Sequence, residues 1–197
     1  MSERLRHAAP DVPGVRAKAL AAASQILAAQ GVERLNLKAI AESAGVGISS
    51  IYHWFANKEE LLLNLALMGF QDLRVDLIQV RGRPEYASPL AAGARAFLGF
   101  AETRPALFSV MFSERLLNRH PDLRAAEQEA LAAFETTVGA DARFPEAHQA
   151  DIGTVLWTLA RGMASIISSY PGGEVPPELR AKFRGGLRYL LGLRGEG

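Results

Sequence analysis

The chain has 197 residues, 49% of them apolar and 22% charged, with a formal net charge of +1. That length and balance suit a soluble globular protein of one large domain or two small ones, with ample material for a buried core. There is no cysteine, which excludes disulfides and thiolate metal sites, and the near-zero net charge means that any nucleic-acid surface must be a local patch.

The N-terminal residues 1–14 are charged and proline-bearing and lack the apolar run of a signal peptide; a mobile arm is expected there. No run of about eighteen apolar residues occurs, so no membrane span and no membrane partner are expected, and the reducing cytoplasm is the expected compartment. Helical periodicity then runs through nearly the whole chain, without convincing period-two alternation. Residues 15–30 are alanine-rich, with Leu20, Ala23, Ile26 and Leu27 on one stripe, and Gly31 stops them. Asn36 is placed to cap a helix over 37–44, and a glycine turn at Gly45–Gly47 leads to a second short helix over 48–54. Asn57 then caps a long helix over 58–80, with Glu59 and Glu60 near its positive end and Leu61, Leu62, Leu65, Met68 and Leu73 as its apolar face. After a Gly/Pro loop at 81–89, helices are predicted over 90–103, 105–117, 122–138, 145–170 and 177–193, several opened by prolines that fit a first turn. The fold class is all-α. A three-helix unit over 15–60 precedes a helical bundle over 61–197.

Ala41, Gly45 and Ile51 lie four and then six residues apart, the spacing of a helix-turn-helix. Ala41 lets the second helix approach the first, Gly45 can take the positive φ that reverses the chain, and Ile51 plugs the space between them. The residues just after the turn, Tyr52, Phe55, Lys58, Glu59 and Leu61, complete a pattern Y-x-x-F-x-x-K-E-x-L. With Ala41-x-x-x-Gly45-Val46, this resembles the N-terminal domain of TetR-family transcriptional repressors over about residues 16–63. The resemblance implies a homodimer, with double-stranded operator DNA and a small-molecule effector as partners.

A short helix entering the major groove presents its N-terminal residues to base edges. Here these are Gly47, Ile48, Ser49 and Ser50: the serines can hydrogen-bond bases or phosphates, and Ile48 can meet a thymine methyl. Lys38 and Lys58 sit at helix starts, where a phosphate is favoured. Tyr52 and His53 resemble family positions that grip the DNA backbone. Arg16 and Lys18 are further basic residues on the first helix. Trp54 and Phe55 are expected in the core. The chain departs from the family pattern at Gly47, where a capping Ser or Thr is common, at Ile48, often polar, and at Trp54, often His. No arginine lies between Gly45 and Trp54, so the bidentate guanine contact is missing from this helix.

In the body, Phe97, Phe100, Phe108, Met111, Phe112, Phe134 and Trp157 form either an ordinary bundle core or the wall of a mostly apolar ligand cavity. Arg161, in an otherwise apolar helix, needs a partner: a carboxylate, a residue across a dimer, or an acidic ligand. It stands where some TetR-like proteins have a His four residues after a Trp. Gly153, Ala160, Gly162 and Ala164 would let a partner helix approach, and the last helix is amphipathic with a basic outer face. Neither a catalytic residue, a metal site nor a cofactor is assigned: the four histidines are scattered, and no nucleophile or phosphate-loop motif occurs. The alternative to a ligand-responsive repressor on a pseudo-palindromic operator is a helical ligand-binding or interaction protein with a vestigial helix-turn-helix.

Overall fold

The structure is a computed structural model that describes residues 14–170 and 174–190. The expected arm, but for Gly14, and the predicted end of the last helix past Leu190 lie outside these residues. Ten α-helices and no strand are found among the described residues: α1 Val15–Gln30, α2 Leu37–Ala44, α3 Ile48–Trp54, α4 Lys58–Gln79, α5 Pro89–Thr103, α6 Pro105–Met111, α7 Glu114–Arg119, α8 Pro121–Gly139, α9 Gln149–Ser169 and α10 Pro177–Leu190. They make two compact units, and the chain passes from the first to the second within α4, between Leu65 and Ala66.

In the first unit α1, α2 and α3 pack on one another around Leu20, Ala23, Leu27, Ile40, Ile51 and Phe55, all buried. Burying each large side chain contributes on the order of 1.5–3 kcal/mol, so this small core holds three helices too short to persist alone. The caps are those the residue types dictate. Asn36 Oδ1 accepts from the Ala39 N–H at 2.9 Å, and Asn57 Oδ1 accepts from the Glu60 N–H at 3.0 Å. Glu60 reaches back to accept the Ala56 N–H at 2.7 Å, closing the α3–α4 corner.

In the second unit α8 packs on α5 and α9, and α5 also meets α6 and α9. The predicted single helix over 105–117 is two helices. Ser113 is extended (φ −62°, ψ 115°) and ends the first. A continuous helix would carry Arg115 onto the buried face of Phe108 and Met111; the break leaves Arg115 exposed and buries Leu116 and Leu117 instead. Likewise, the helix predicted from 145 begins as a 3-10 turn at Glu146–His148 before α9. On α4 Leu61 and Leu65 are buried on one side of the helix and Phe70, Leu73 and Leu77 on another, whereas Met68, assigned to the apolar face from the sequence, is 41% exposed.

Two polar ties fix the second unit. The buried Thr137 hydroxyl accepts from Arg81 Nε at 2.9 Å and lies 3.0 Å from the Leu77 carbonyl, joining the end of α4 to α8. Asp141, only 2% exposed, accepts from the Leu90 N–H at 3.2 Å and from the Arg143 guanidinium, which also donates to Ser88 Oγ at 2.9 Å. A carboxylate from the α8–α9 connection thus satisfies a free N–H at the start of α5. The Arg143 bond holds the Asp141 carboxyl at about 2, below the usual 3.8, against the opposing effect of burial.

Candidate nucleic-acid interface and the aromatic core

Gly45 takes φ 64° and ψ 35°, the left-handed conformation that reverses the chain after α2, while Val46 N–H donates to Ala41 O at 3.0 Å. Ala41 and Ile51 are buried as the spacing requires. Gly47 stands at the N-cap of α3 and contributes no side-chain cap, so the first N–H groups of the recognition helix are left without one.

The outward face of α3 carries most of the predicted DNA contacts. Gly47, Ile48, Ser49, Tyr52 and His53 are exposed, Ser50 is half-buried, and Lys38 on α2 is exposed. Tyr52 is 57% exposed and Ile48 41%, large side chains in water that a closed domain would bury. Ile48 and Tyr52 are four residues apart and therefore share a face. Phe55 is wholly buried, as expected, but Trp54 is not the core residue that its apolar character suggests. It is 45% exposed and stacks edge-on against His53, ring centroids 5.5 Å apart. With Ile51 and Phe55 already filling the interior side of α3, position 54 points elsewhere.

Lys58 differs from the other basic residues. Its ammonium donates to the Val32 carbonyl at 2.6 Å, so the side chain fastens the start of α4 to the α1–α2 connection. Arg16 donates to Asn64 Oδ1, whereas Lys18 is exposed on α1.

In the second unit the aromatic residues singled out from the sequence converge. Phe97 lies at the centre, with centroid distances of 5.8 Å to Phe108, 5.7 Å to Phe134 and 4.8 Å to Trp157, all near-perpendicular. Phe112 joins at 4.6 Å from Phe108, and Phe70, which sequence reasoning missed, packs on Phe112 at 5.1 Å. Its signal was its place on an α4 stripe with Leu73 and Leu77, which follow it three and seven residues on. Met111 is buried beside Gly69, where an added Cβ would fall 2.5 Å from its sulfur. Phe100 is buried too, but its ring faces the Arg104 guanidinium at 4.8 Å.

Arg161 finds its partner inside the chain. It lies 3.3 Å from Glu127 and 4.7 Å above the Phe112 ring, while Arg124 holds the other Glu127 oxygen at 2.6 Å. Two guanidiniums and a cation–π contact thus accompany one buried carboxylate.

A three-helix head with an exposed, correctly spaced second helix defines a helix-turn-helix protein. The model for bacterial regulatory proteins of the tetR family matches residues 19–65, and that for a tetracyclin repressor-like C-terminal domain matches residues 90–188. The chain belongs to the TetR family. Helix-turn-helix-type transcriptional regulators of Mycobacterium tuberculosis and Mycobacterium bovis are each 28% identical over 116 residues, 56% of this chain and 50% of theirs. The chain thus spans about half the length of the curated relatives it matches. The fold is shared with a TetR transcriptional regulator from Legionella pneumophila (TM-score 0.63, 14% identity, 94% of this chain and 100% of that one) and with AmtR of Mycobacterium smegmatis (0.56, 21%, 95% and 92%). No described helix is long and apolar enough to cross a membrane.

Proposed function

We propose that the protein is a cytoplasmic DNA-binding transcriptional regulator, a ligand-responsive repressor that grips a pseudo-palindromic operator as a homodimer. The observation that carries the DNA reading is the solvent-facing side of α3. Ile48 and Ser49 are exposed and Ser50 half-buried at the helix start, the part of a groove-entering helix that meets base edges, while the exposed Tyr52, His53 and, on α2, Lys38 are assigned to the backbone. Without an arginine on α3, each half-site reads few bases strongly, and a second head roughly 34 Å away along the duplex supplies the remaining specificity.

The dimer reading is supported by α9. Ile152, Val155, Leu159, Gly162 and Ile166 recur at helical spacing on one stripe, with Val155 58% and Ile166 43% exposed. Nothing lies within 4 Å of a Cβ placed on Gly162, so a partner helix can approach there. The same stripe continues into an apolar groove of about 610 Å³ towards Leu187 and Leu190 of α10. An apolar face of this extent fits a second copy of the chain.

For the response to a ligand, Phe97, Phe108, Met111, Phe134 and Trp157 set a tightly packed aromatic centre, and the half-buried Phe112 with Arg161 forms its outer edge. We assign effector contact to that edge. An effector there releases DNA only by binding the DNA-incompetent arrangement more tightly. The test is fluorescence anisotropy on palindromic DNA from the flanks of its own gene, at several salt concentrations. A steep salt dependence with sequence preference supports the reading; a flat one leaves a helical interaction protein with a vestigial head.

A further inference from the structure

The last helix leaves an unusual space beneath it. No residue of α10 is buried; it leans on the body through Arg180, Phe183 and Leu187, all half-exposed. Between α10, α5 and α9 lies a cavity of about 290 Å³, just below the range usual for drug-sized ligands, roughly 300–1,000 Å³, and so suited to a smaller molecule. Its floor is a satellite hydrophobic cluster, separate from the aromatic core: Leu98, Met163, Ile167, Val175 and Phe183. Its rim is charged and unbalanced. Glu102 pairs with Arg180 at 2.9 Å through one oxygen and with Arg95 at 3.7 Å through the other. Arg184, one turn beyond Arg180 and also on the rim, makes no ion pair among the described residues. Three guanidiniums therefore face one carboxylate above an apolar floor.

From this we infer that the groove binds a medium-chain aliphatic monocarboxylate, its alkyl chain on the satellite cluster and its head group on Arg184, with Arg180 and Arg95 nearby. A polyanion such as a nucleotide would leave the apolar floor unused. A cationic amphiphile would meet a surplus of positive charge, and a neutral alcohol would leave Arg184 without its counter-charge. The alkyl chain covers surface that α10 leaves open, so occupancy draws α10 onto α5 and α9. This binding goes beyond the proposed effector contact at Arg161; only its regulatory consequence rests on the ligand-responsive reading.

The test is titration calorimetry of the full chain with decanoate below its micelle concentration, with decylamine and decanol in parallel. Decanoate is expected to bind stoichiometrically and decylamine not at all, with decanol weaker than decanoate. Arg184→Ala is expected to weaken decanoate by about three- to tenfold, on the scale of a partly exposed charge contact. Ala94→Met, which fills the cavity from α5, is expected to abolish binding while the helical circular dichroism and melting temperature stay as in the parent. Equal binding of decanoate and decylamine, or binding that survives both substitutions, overturns the proposal. So does loss of binding on Val155→Glu but not on Arg184→Ala, which would put the ligand in the groove between α9 and the far side of α10. Operator anisotropy with saturating decanoate separates the two readings: no binding by calorimetry refutes the site, whereas binding without any change in operator affinity refutes its role in regulation.

Discussion

The ammonium of Lys58 donates to the carbonyl of Val32 at 2.6 Å and so joins the first turn of α4 to the connection before α2. A lysine at the start of this helix is therefore a fold residue in its side chain, and only its backbone N–H is left to face a phosphate. Lys38, exposed on α2, has no such commitment. Lys58→Met is expected to cost about 1 kcal/mol of stability, the scale of one net hydrogen bond, and to change the salt dependence of DNA binding little. Lys38→Ala is expected to leave melting unchanged while lowering the slope of log K against log salt by roughly 0.9 for each phosphate that is no longer neutralised. Thermal melts beside salt-series anisotropy read both; equal behaviour of the two variants would remove the distinction.

Asp141 gives the body an acid-sensitive joint. Its folded pKa of about 2 lies below the ordinary 3.8, so the folded state holds fewer protons and is favoured when the group is ionised. That contribution, about 2 kcal/mol by the size of the shift, is complete above about pH 4.5 and is lost as pH falls through 3.8 towards 2. Asp141→Asn is expected to remove it at neutral pH and to flatten this part of the acid limb. Urea unfolding at pH 7, 4 and 2.5 checks this: a parent and variant that differ equally at all three pH values would contradict it.

Two glycines of α9 are expected to behave oppositely. A Cβ on Gly153 would lie 2.7 Å from Glu135 Cγ and 3.0 Å from its Cα, a backbone approach that cannot relax cheaply. Gly153→Ala should therefore destabilise the body by about 1–3 kcal/mol. Gly162 faces open space in the single chain, so Gly162→Ala should stabilise the isolated helix by about 0.5–1 kcal/mol. Gly162→Glu is expected to preserve helical content and shift sedimentation towards monomer. A Gly162→Glu protein still dimeric at micromolar concentration would move the interface elsewhere.

Glu127 is a buried carboxylate that depends on two neighbouring guanidiniums. It is 6% exposed and held by both Arg124 and Arg161. Arg161→Met is expected to cost about 1–3 kcal/mol, and Glu127→Gln in the same background to cost less than it does alone. A double-mutant cycle by chemical unfolding measures the coupling. Strict additivity would show that the contact carries no energy.

Much of this was legible from residue spacing because it is local. Asn36, Gly45 and Asn57 act through backbone groups a few residues away, so α1, α2 and α3 begin and end where the sequence predicts. Trp54 was misplaced because apolar character says what a side chain prefers, while its direction is set by Ile51 and Phe55 taking the interior face. The break at Ser113 was hidden because Phe108, Met111 and Phe112 suit a continuing helix; only the need to bury Leu116 and Leu117 and release Arg115 decides it. The Asp141–Leu90 cap and the Glu127–Arg161 pair join residues 51 and 34 positions apart, a separation that no single-sequence pattern marks.

Base reading by α3 is what would let the proposed regulator choose its DNA. Its most direct test is anisotropy of the full chain on palindromic DNA from its own gene's flanks, comparing the parent with Tyr52→Phe and Ser50→Ala across a salt series. Expected are a strongly salt-dependent parent, a Tyr52→Phe variant weakened on every sequence, and a Ser50→Ala variant that discriminates less between operator and scrambled DNA. Binding by both variants indistinguishable from the parent, or a parent without salt dependence, would contradict it.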